Sequence, residues 1–294
     1  MINFLKYRKI YFIFSLILVL LSLAFLAIFR LEPGIDFTGG SILEVKYEEE
    51  RPAVEEVRES LFDIVGHVFI QPADEYGLII RMGEIDEETH QEVMAILSED
   101  YELQELRFES IGPVIGRELR EKTTIVIIFS LLAIVLYIAF SFRRIQKPIS
   151  SWQCGLASLL ALFHDALIPL GIFAILGEFY GVQITIPVVV ALLMVLGYSI
   201  NNTVVVLDRI RENLLKRTGT TFEETVNISL SQTLARTVNT ALTTLFVLVA
   251  IFFFGGETLK YFALILILGI ISGTYSSLFL VSPILVAWLG WRKK

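Results

Sequence analysis

The sequence predicts an α-helical polytopic membrane protein that carries one small α+β domain. Three observations predict it. Of the 294 residues, 55% are hydrophobic, and a mean hydropathy of +0.69 is too high for a soluble chain of this length. Several apolar runs are long enough to cross the roughly 30 Å hydrocarbon layer, which takes about 20 residues of helix. The charges are segregated: residues 31–122 hold 24 of the 31 acidic residues but only 8 of the 24 basic ones.

Six spans are expected, near 10–29, 123–142, 151–177, 184–207, 236–254 and 259–289. The first follows Lys6, Arg8 and Lys9 and lacks an A-x-A cleavage site, so it reads as an uncleaved anchor. Arg143, Arg144 and Lys147 lie between spans two and three. Arg209, Arg211, Lys216 and Arg217 lie between four and five, and Arg292, Lys293 and Lys294 close the chain. The alternate loops, 178–183 and 255–258, contain no Lys or Arg. The positive-inside rule therefore puts both termini on the cytoplasmic side, so that residues 1–30 hold the cytoplasmic N-terminus and the first span, with 31–122 outside. Residues 123–294 form a five-helix membrane domain with a cytoplasmic amphipathic loop over 208–235.

The outside segment is read by period. GSILEVKY (40–47) alternates like a strand, and PAVEEVRESLFDIV (52–65) has helical spacing. HVFIQ and YGLIIRM read as two strands joined by a turn at Pro72-Ala73-Asp74. DEETHQEVMAILSED (86–100) is helical, with acids in its first turn where the dipole favours them. YELQELRFESI (101–111) alternates again. This βαββαβ order is that of a ferredoxin-like domain. It shows no phosphate loop and no paired catalytic carboxylates, so binding or scaffolding is expected and not enzymatic catalysis. In GIDFTGG (34–40), Gly34, Gly39 and Gly40 allow tight turns around Asp36. A strand follows the motif, so it is not a dinucleotide fingerprint. The single cysteine, Cys154, excludes an intrachain disulfide and a cysteine metal site, and three scattered histidines give no zinc spacing. No metal or cofactor is expected. The acidic soluble domain gives nucleic-acid binding no support.

Polar residues inside the spans are the candidate functional residues. His164 and Asp165 lie in the middle of the third span. The bland alternative is a neutral Asp165 hydrogen-bonded to a neighbouring helix. The fourth span carries Gly197, Ser199, Asn201, Asn202 and Thr203. Asn202 falls roughly 9 Å before Asp208 along the helix, and Asp208 and Arg209 fit a solvated cytoplasmic interface. The fifth span opens with Arg236, followed by Thr240, at a depth comparable to Asn202. Thr220 and Thr221 with Glu223 and Glu224 form a capping box, which starts an amphipathic helix along the inner interface. Gly269 and Gly273 form a G-x-x-x-G that allows close helix packing.

Together these segments resemble SecF, the membrane subunit of the bacterial SecD–SecF protein-export complex, a family itself similar to resistance-nodulation-division exporters. The resemblance covers nearly the whole chain. It is carried by GIDFTGG after the first span, ESIGPVIGREL, the mid-membrane HD, GYSINNTVVVLDRIREN, SLSQTLARTVNT, FFGGETLKYFAL and GTYSSLFLVSP, in the family's order. It implies a multi-pass protein of the bacterial cytoplasmic membrane. The implied partners are SecD, the SecYEG channel, YajC and the translocating unfolded preprotein, with protons driving transport. It also implies a proton-carrying Asp at the position of Asn202, near an Arg at Arg236. Here the motif reads GYSINN where the family reads GYSIND.

An amide cannot titrate. Three accounts follow: an Asp-to-Asn change that locks one conformation, a natural variant relying on Asp165 or on acids of SecD, or a scaffold subunit without proton coupling. Half of a small-molecule exporter is a rival reading, although about 90 residues outside is small for a substrate cleft. An intramembrane aspartyl protease would need two facing mid-membrane aspartates, and this chain offers Asp165 alone.

Overall fold

A computed structural model describes residues 3–73, 75–143 and 148–292. Asp74 of the expected turn and the loop cations Arg144, Lys147, Lys293 and Lys294 lie outside them. The chain forms two compact units. One comprises Met1–Leu31, Ile127–Leu176 and Pro187–Lys294, and the other Glu32–Val126 with Gly177–Ile186.

The second unit contains the sheet. After α1 (Arg8–Phe29) and the short α2 (Ile35–Thr38) come β1 (Gly40–Tyr47), α3 (Val54–Val65), β2 (Phe69–Pro72), β3 (Gly77–Met82), α4 (Glu87–Leu97) and β4 (Leu103–Ile111). All neighbouring strands are antiparallel, in the order β2-β3-β1-β4. This is the ferredoxin-like arrangement that the βαββαβ pattern predicts. Alternation along β1 explains its two faces. Leu43, Val45 and Tyr47 enter a core with Leu78 and Ile80 of β3, Val57 and Leu61 of α3, and Val93 and Leu97 of α4. Ile42 turns to the other face, against Ile35 and Ile79. Asp86 caps α4 by accepting from the Thr89 amide at 3.0 Å and the Thr89 hydroxyl at 2.7 Å.

The same unit holds the glycine motif. The Gly34 amide donates to the Ile184 carbonyl at 2.8 Å, and the Ile184 amide donates to the Glu32 carbonyl at 2.7 Å. Asp36 Oδ2 accepts from the Ile186 amide at 2.8 Å, an orphan donor at a helix start. Residues 177–186, which include the loop 178–183 expected from the sequence, are thereby tied into the sheet unit.

The first unit is helical. The remaining elements, wholly or mostly in it, are α5 (Pro113–Ser141), α6 (Ser151–Tyr180), α7 (Ile186–Leu215), α8 (Phe222–Phe254), α9 (Gly256–Ser276), a π turn (Ser277–Val281) and α10 (Ser282–Arg292). Six helical stretches are long and apolar enough to cross a membrane: Phe4–Phe29, Pro113–Ser141, Ser151–Tyr180, Ile186–Leu215, Phe222–Phe254 and Leu259–Gly290. Outward-facing Ile13 and Leu16 of α1, Ile128 and Phe129 of α5, and Phe246 and Phe253 of α8 suit lipid as the solvent. The π turn ends two residues before Pro283, which lacks the amide needed to continue an α-helical ladder.

Two boundaries differ from expectation. The segment 220–235 is not a separate amphipathic helix, because α8 runs unbroken from Phe222 to Phe254. No Gly or Pro interrupts it. Thr225, Ser229, Thr233 and Thr240 return their hydroxyls to carbonyls one turn back, so they leave the ladder intact. Likewise α7 continues to Leu215 on i,i+3 and i,i+4 pairs of Arg211 with Asp208, Arg209 with Glu212, and Lys216 with Glu212. The expected 208–235 loop therefore shrinks to the connection 216–221. There Thr221 caps α8 by accepting from the Glu224 amide at 3.1 Å. The reciprocal bond of Glu224 goes to Thr220, one residue earlier than in the standard capping box.

Candidate functional site: a buried carboxylate in the helical unit

Asp165 has no solvent exposure, and His164 beside it is 2% exposed. Three helices meet at this carboxylate. From α7, Ser199 Oγ donates to Asp165 Oδ2 at 2.5 Å. From α9, Ser276 Oγ donates to the same oxygen at 2.6 Å. On α6 itself, His164 Nδ1 lies 2.8 Å from Oδ1. With the carboxylate ionised, Nδ1 carries the hydrogen and donates it.

Pro169 adds a backbone element. It lies inside α6 four residues after Asp165 and has no amide to return to the Asp165 carbonyl. Ser272 Oγ donates to that carbonyl, at 3.4 Å, as well as to the Gly269 carbonyl at 3.1 Å. The His164 ring stacks near Tyr275, with centroids 6.0 Å apart. Tyr275 in turn donates to the Tyr11 carbonyl at 3.0 Å and accepts from Ser15 at 3.2 Å.

Small residues on α9 make this approach possible. A Cβ on Gly273 would lie 3.1 Å from Ser199 Cβ and 3.5 Å from Asp165 Oδ2. At Gly269 a Cβ would meet Val195 Cγ2 at 2.1 Å. Gly269, Ser272, Gly273 and Ser276 thus share one face of α9, turned to α6 and α7. Gly197 has no such neighbour.

The other candidate residues fall elsewhere. Asn202 is buried, and its Nδ2 has no hydrogen-bond partner among the described residues. Asn201 is exposed. Arg236 is exposed on α8, and its side chain forms no hydrogen bond or ion pair among the described residues. Thr240, also exposed, donates to the Arg236 carbonyl at 2.9 Å. Asn202 and Arg236 are therefore not hydrogen-bonded to each other. What joins α7 to α8 is Asn213, whose Nδ2 donates to Ser229 Oγ at 2.8 Å and Gln232 Oε1 at 2.9 Å. Asp208 pairs with Arg211 at 2.7 Å and Arg209 with Glu212 at 2.9 Å, both on the helix surface. Gly34, Asp36, Gly39 and Gly40 are backbone-fixing residues of the sheet unit. A Cβ on Gly39 would lie 2.8 Å from Pro113 Cα, and one on Gly40 would lie 2.8 Å from the Met82 carbonyl oxygen.

Sequence reasoning missed Ser272 and Ser276 as partners of Asp165. The available signal was the repeat of Gly and Ser at intervals of three and four along α9. No cluster of three or more His, Cys, Asp or Glu side chains suited to a metal occurs among the described residues. The arrangement can hold a charge or a proton in an apolar medium.

Residues 92–291 match the family described as protein export membrane protein SecD/SecF, C-terminal. Residues 24–50, which include GIDFTGG, match the SecD/SecF GG motif. The protein translocase subunit SecF of Thermobaculum terrenum is 40% identical over 302 residues, covering 98% of this chain and 94% of that relative. The SecF of Anaerolinea thermophila is 36% identical, with the same coverages. Among solved structures, SecDF of Thermus thermophilus, a translocon-associated membrane protein, superposes with a TM-score of 0.85 at 34% identity, over 98% of this chain. A SecDF in the super-membrane-facing form gives 0.69 at 35% identity. The chain spans 38% and 39% of those two proteins. With a family model over most of its length and curated relatives matched end to end, this chain belongs to the SecF family of protein translocase subunits.

Proposed function

We propose that this chain works with a SecD partner to help draw unfolded preprotein through the SecYEG channel, with YajC as an accessory and the proton gradient as the source of energy. It lies in the bacterial cytoplasmic membrane with both termini inside and the sheet unit outside. The observation that supports a coupling role is Asp165. Its carboxylate has no exposure and is surrounded by donors from three helices. The adjacent His164 imidazole, 2.8 Å from Oδ1, gives the carboxylate a neighbour with which a proton can be shared. Asn202 stands at the family's proton-carrier position and cannot ionise. In this chain Asp165, or an acid of the SecD partner, takes that role.

The test is proton-driven preprotein export in vesicles containing the complete translocase. Asp165→Asn, which keeps the volume, should lower export under an imposed pH gradient. Asn202→Asp should raise it, and Asn202→Asp with Arg236→Ala should lose that gain. Parent-level export by Asp165→Asn would move the coupling away from Asp165. Cysteine labelling at position 75 from outside only, and at 216 from inside only, checks the topology.

A second reading, a passive scaffold, is favoured by the unionisable Asn202. In that case collapsing the gradient would leave this subunit's contribution unchanged.

A further inference from the structure

A cavity of about 100 Å³ opens at one end of the sheet unit, where the end of β1 meets α3 and the α4–β4 connection. Three acids line it, Glu56, Glu99 and Asp100, together with Tyr47 and Tyr101. The acids are exposed, and none takes part in a salt bridge among the described residues. Tyr47 supplies the second observation. It is 1% exposed, it lines the cavity, and its hydroxyl has no hydrogen-bond partner among the described residues. Buried hydroxyls are nearly always satisfied, and this phenol lies close enough to Glu56 and Tyr101 of the cavity lining to feel their charge.

We propose that this cavity binds the guanidinium group of an arginine in an extended polypeptide. The chemistry fits on four counts. The volume equals about three waters at roughly 30 Å³ each, enough for a planar guanidinium and part of its stem. Val57 and Leu97 provide apolar wall for the methylenes. Tyr101, which meets the buried Tyr47 ring edge to face with centroids 5.7 Å apart, adds an aromatic wall for a cation. Finally, an arginine brings five donors in a fixed fork and no acceptor. The phenol oxygen and the carboxylates are acceptors. Burial, with Tyr101 and Glu56 adding to it, pushes the Tyr47 phenol up to about 12, so it stays neutral at physiological pH. That the polypeptide is the translocated preprotein rests on the function proposed above, whereas the binding chemistry does not.

The experiment uses the full chain in nanodiscs, without SecD, SecYEG or a proton gradient. Its result is therefore independent of export assays. The probes are two labelled unstructured peptides, identical except that one carries arginine and the other citrulline, its neutral isostere. Anisotropy should show at least tenfold tighter binding of the arginine peptide. Tyr47→Phe should weaken that binding several-fold while leaving thermal stability equal or higher, because the hydroxyl it removes has no partner. Glu99→Gln with Asp100→Asn should abolish the preference for arginine. Glu48→Gln with Glu49→Gln, acids outside the cavity, should preserve it. Equal binding of the two peptides overturns the proposal. So does a preference that survives the cavity changes, or that disappears in the Glu48 and Glu49 variant, since either outcome makes the attraction a property of the acidic surface in general.

Discussion

Adding a single carbon at residue 269 tests how closely α7 and α9 are held around Asp165. In Gly269→Ala the new Cβ would lie 2.1 Å and 2.4 Å from the two Cγ atoms of Val195, and 2.8 Å from its Cβ. Carbon contacts settle near 3.5–4.0 Å, so more than an ångström of separation is missing. Val195 is completely buried, and a β-branched side chain in a helix has essentially one rotamer. It cannot turn aside, so the helices must part. One turn along, Gly273 packs on Ser199, and the same movement stretches the 2.5 Å bond from Ser199 to Asp165. Overpacking alone costs about 1–3 kcal/mol, and weakening a buried hydrogen bond adds about 1. We expect Gly269→Ala to lose about 3 kcal/mol in all, on those two terms. Val195→Ala removes both clashing methyls, so the double variant should recover at least about 1 kcal/mol relative to additivity. Gly197→Ala, which meets nothing within 4 Å, is the control. Unfolding in detergent by denaturant titration measures the parent and the four variants. Additive losses, or a stable Gly269→Ala, would refute the close approach.

The glycine motif gives a second comparison. Gly39 has φ +76° and its added Cβ would press on Pro113 backbone, whereas Gly66 has φ +70° with nothing nearby. Both alanine variants carry backbone strain of about 1–3 kcal/mol, and Gly39→Ala alone adds an overpacking cost of about 1–3 kcal/mol. Limited proteolysis of the sheet unit should therefore rank Gly39→Ala well below Gly66→Ala, and equal resistance would remove the clash. A third prediction concerns acid. The Thr89 amide and hydroxyl hold the Asp86 carboxyl below its usual value, and the side chains of Gln91 and His90 do the same for Glu87. Both groups stabilise α4 above the ordinary carboxylate range near pH 4, and that contribution is lost as pH falls through the lower folded-state values. Asp86→Asn keeps a capping acceptor and should flatten the acid dependence of amide exchange in α4. An unchanged pH profile would exclude Asp86 as a source.

The sheet unit was legible because its signals are local. Strand alternation, a capping Asp and two helical periods lie within single elements, and the split βαβ order leaves little topological choice. The helical unit was legible in number and type of helix, since length and apolarity alone define a span. Its boundaries were not. The break expected before Arg236 rested on charge and polarity, yet hydroxyls that bond back one turn let α8 pass through them. The partners of Asp165 were hidden for a different reason. Ser199, Ser272 and Ser276 lie 34, 107 and 111 residues away, and a serine on a small-residue face reads as packing until the facing helix is known. Asp36 was similarly opaque, because its acceptor role depends on the amide of Ile186, 150 residues later.

The distribution of unsatisfied polar atoms bears on which residues this membrane core retains for function. In an apolar medium each such atom carries a cost, and natural sequences depart from local optimality mainly where function demands it. Within the helical unit, buried atoms without partners include His164 Nε2, Tyr198 Oη, Asn202 Nδ2, Thr203 Oγ1, Thr274 Oγ1 and Ser282 Oγ. Three of them fall within the six residues Tyr198–Thr203 of α7, the stretch that also sends Ser199 to Asp165. Leucine at 202 would fill a similar volume and remove an unpaired amide, so stability alone does not select asparagine. Donation to the Asp165 carboxylate is already complete without it, through Ser199, Ser276 and His164. On the coupling role proposed for Asp165, His164 Nε2 and the polar atoms along α7 are the groups that a proton pathway to the buried pair would use.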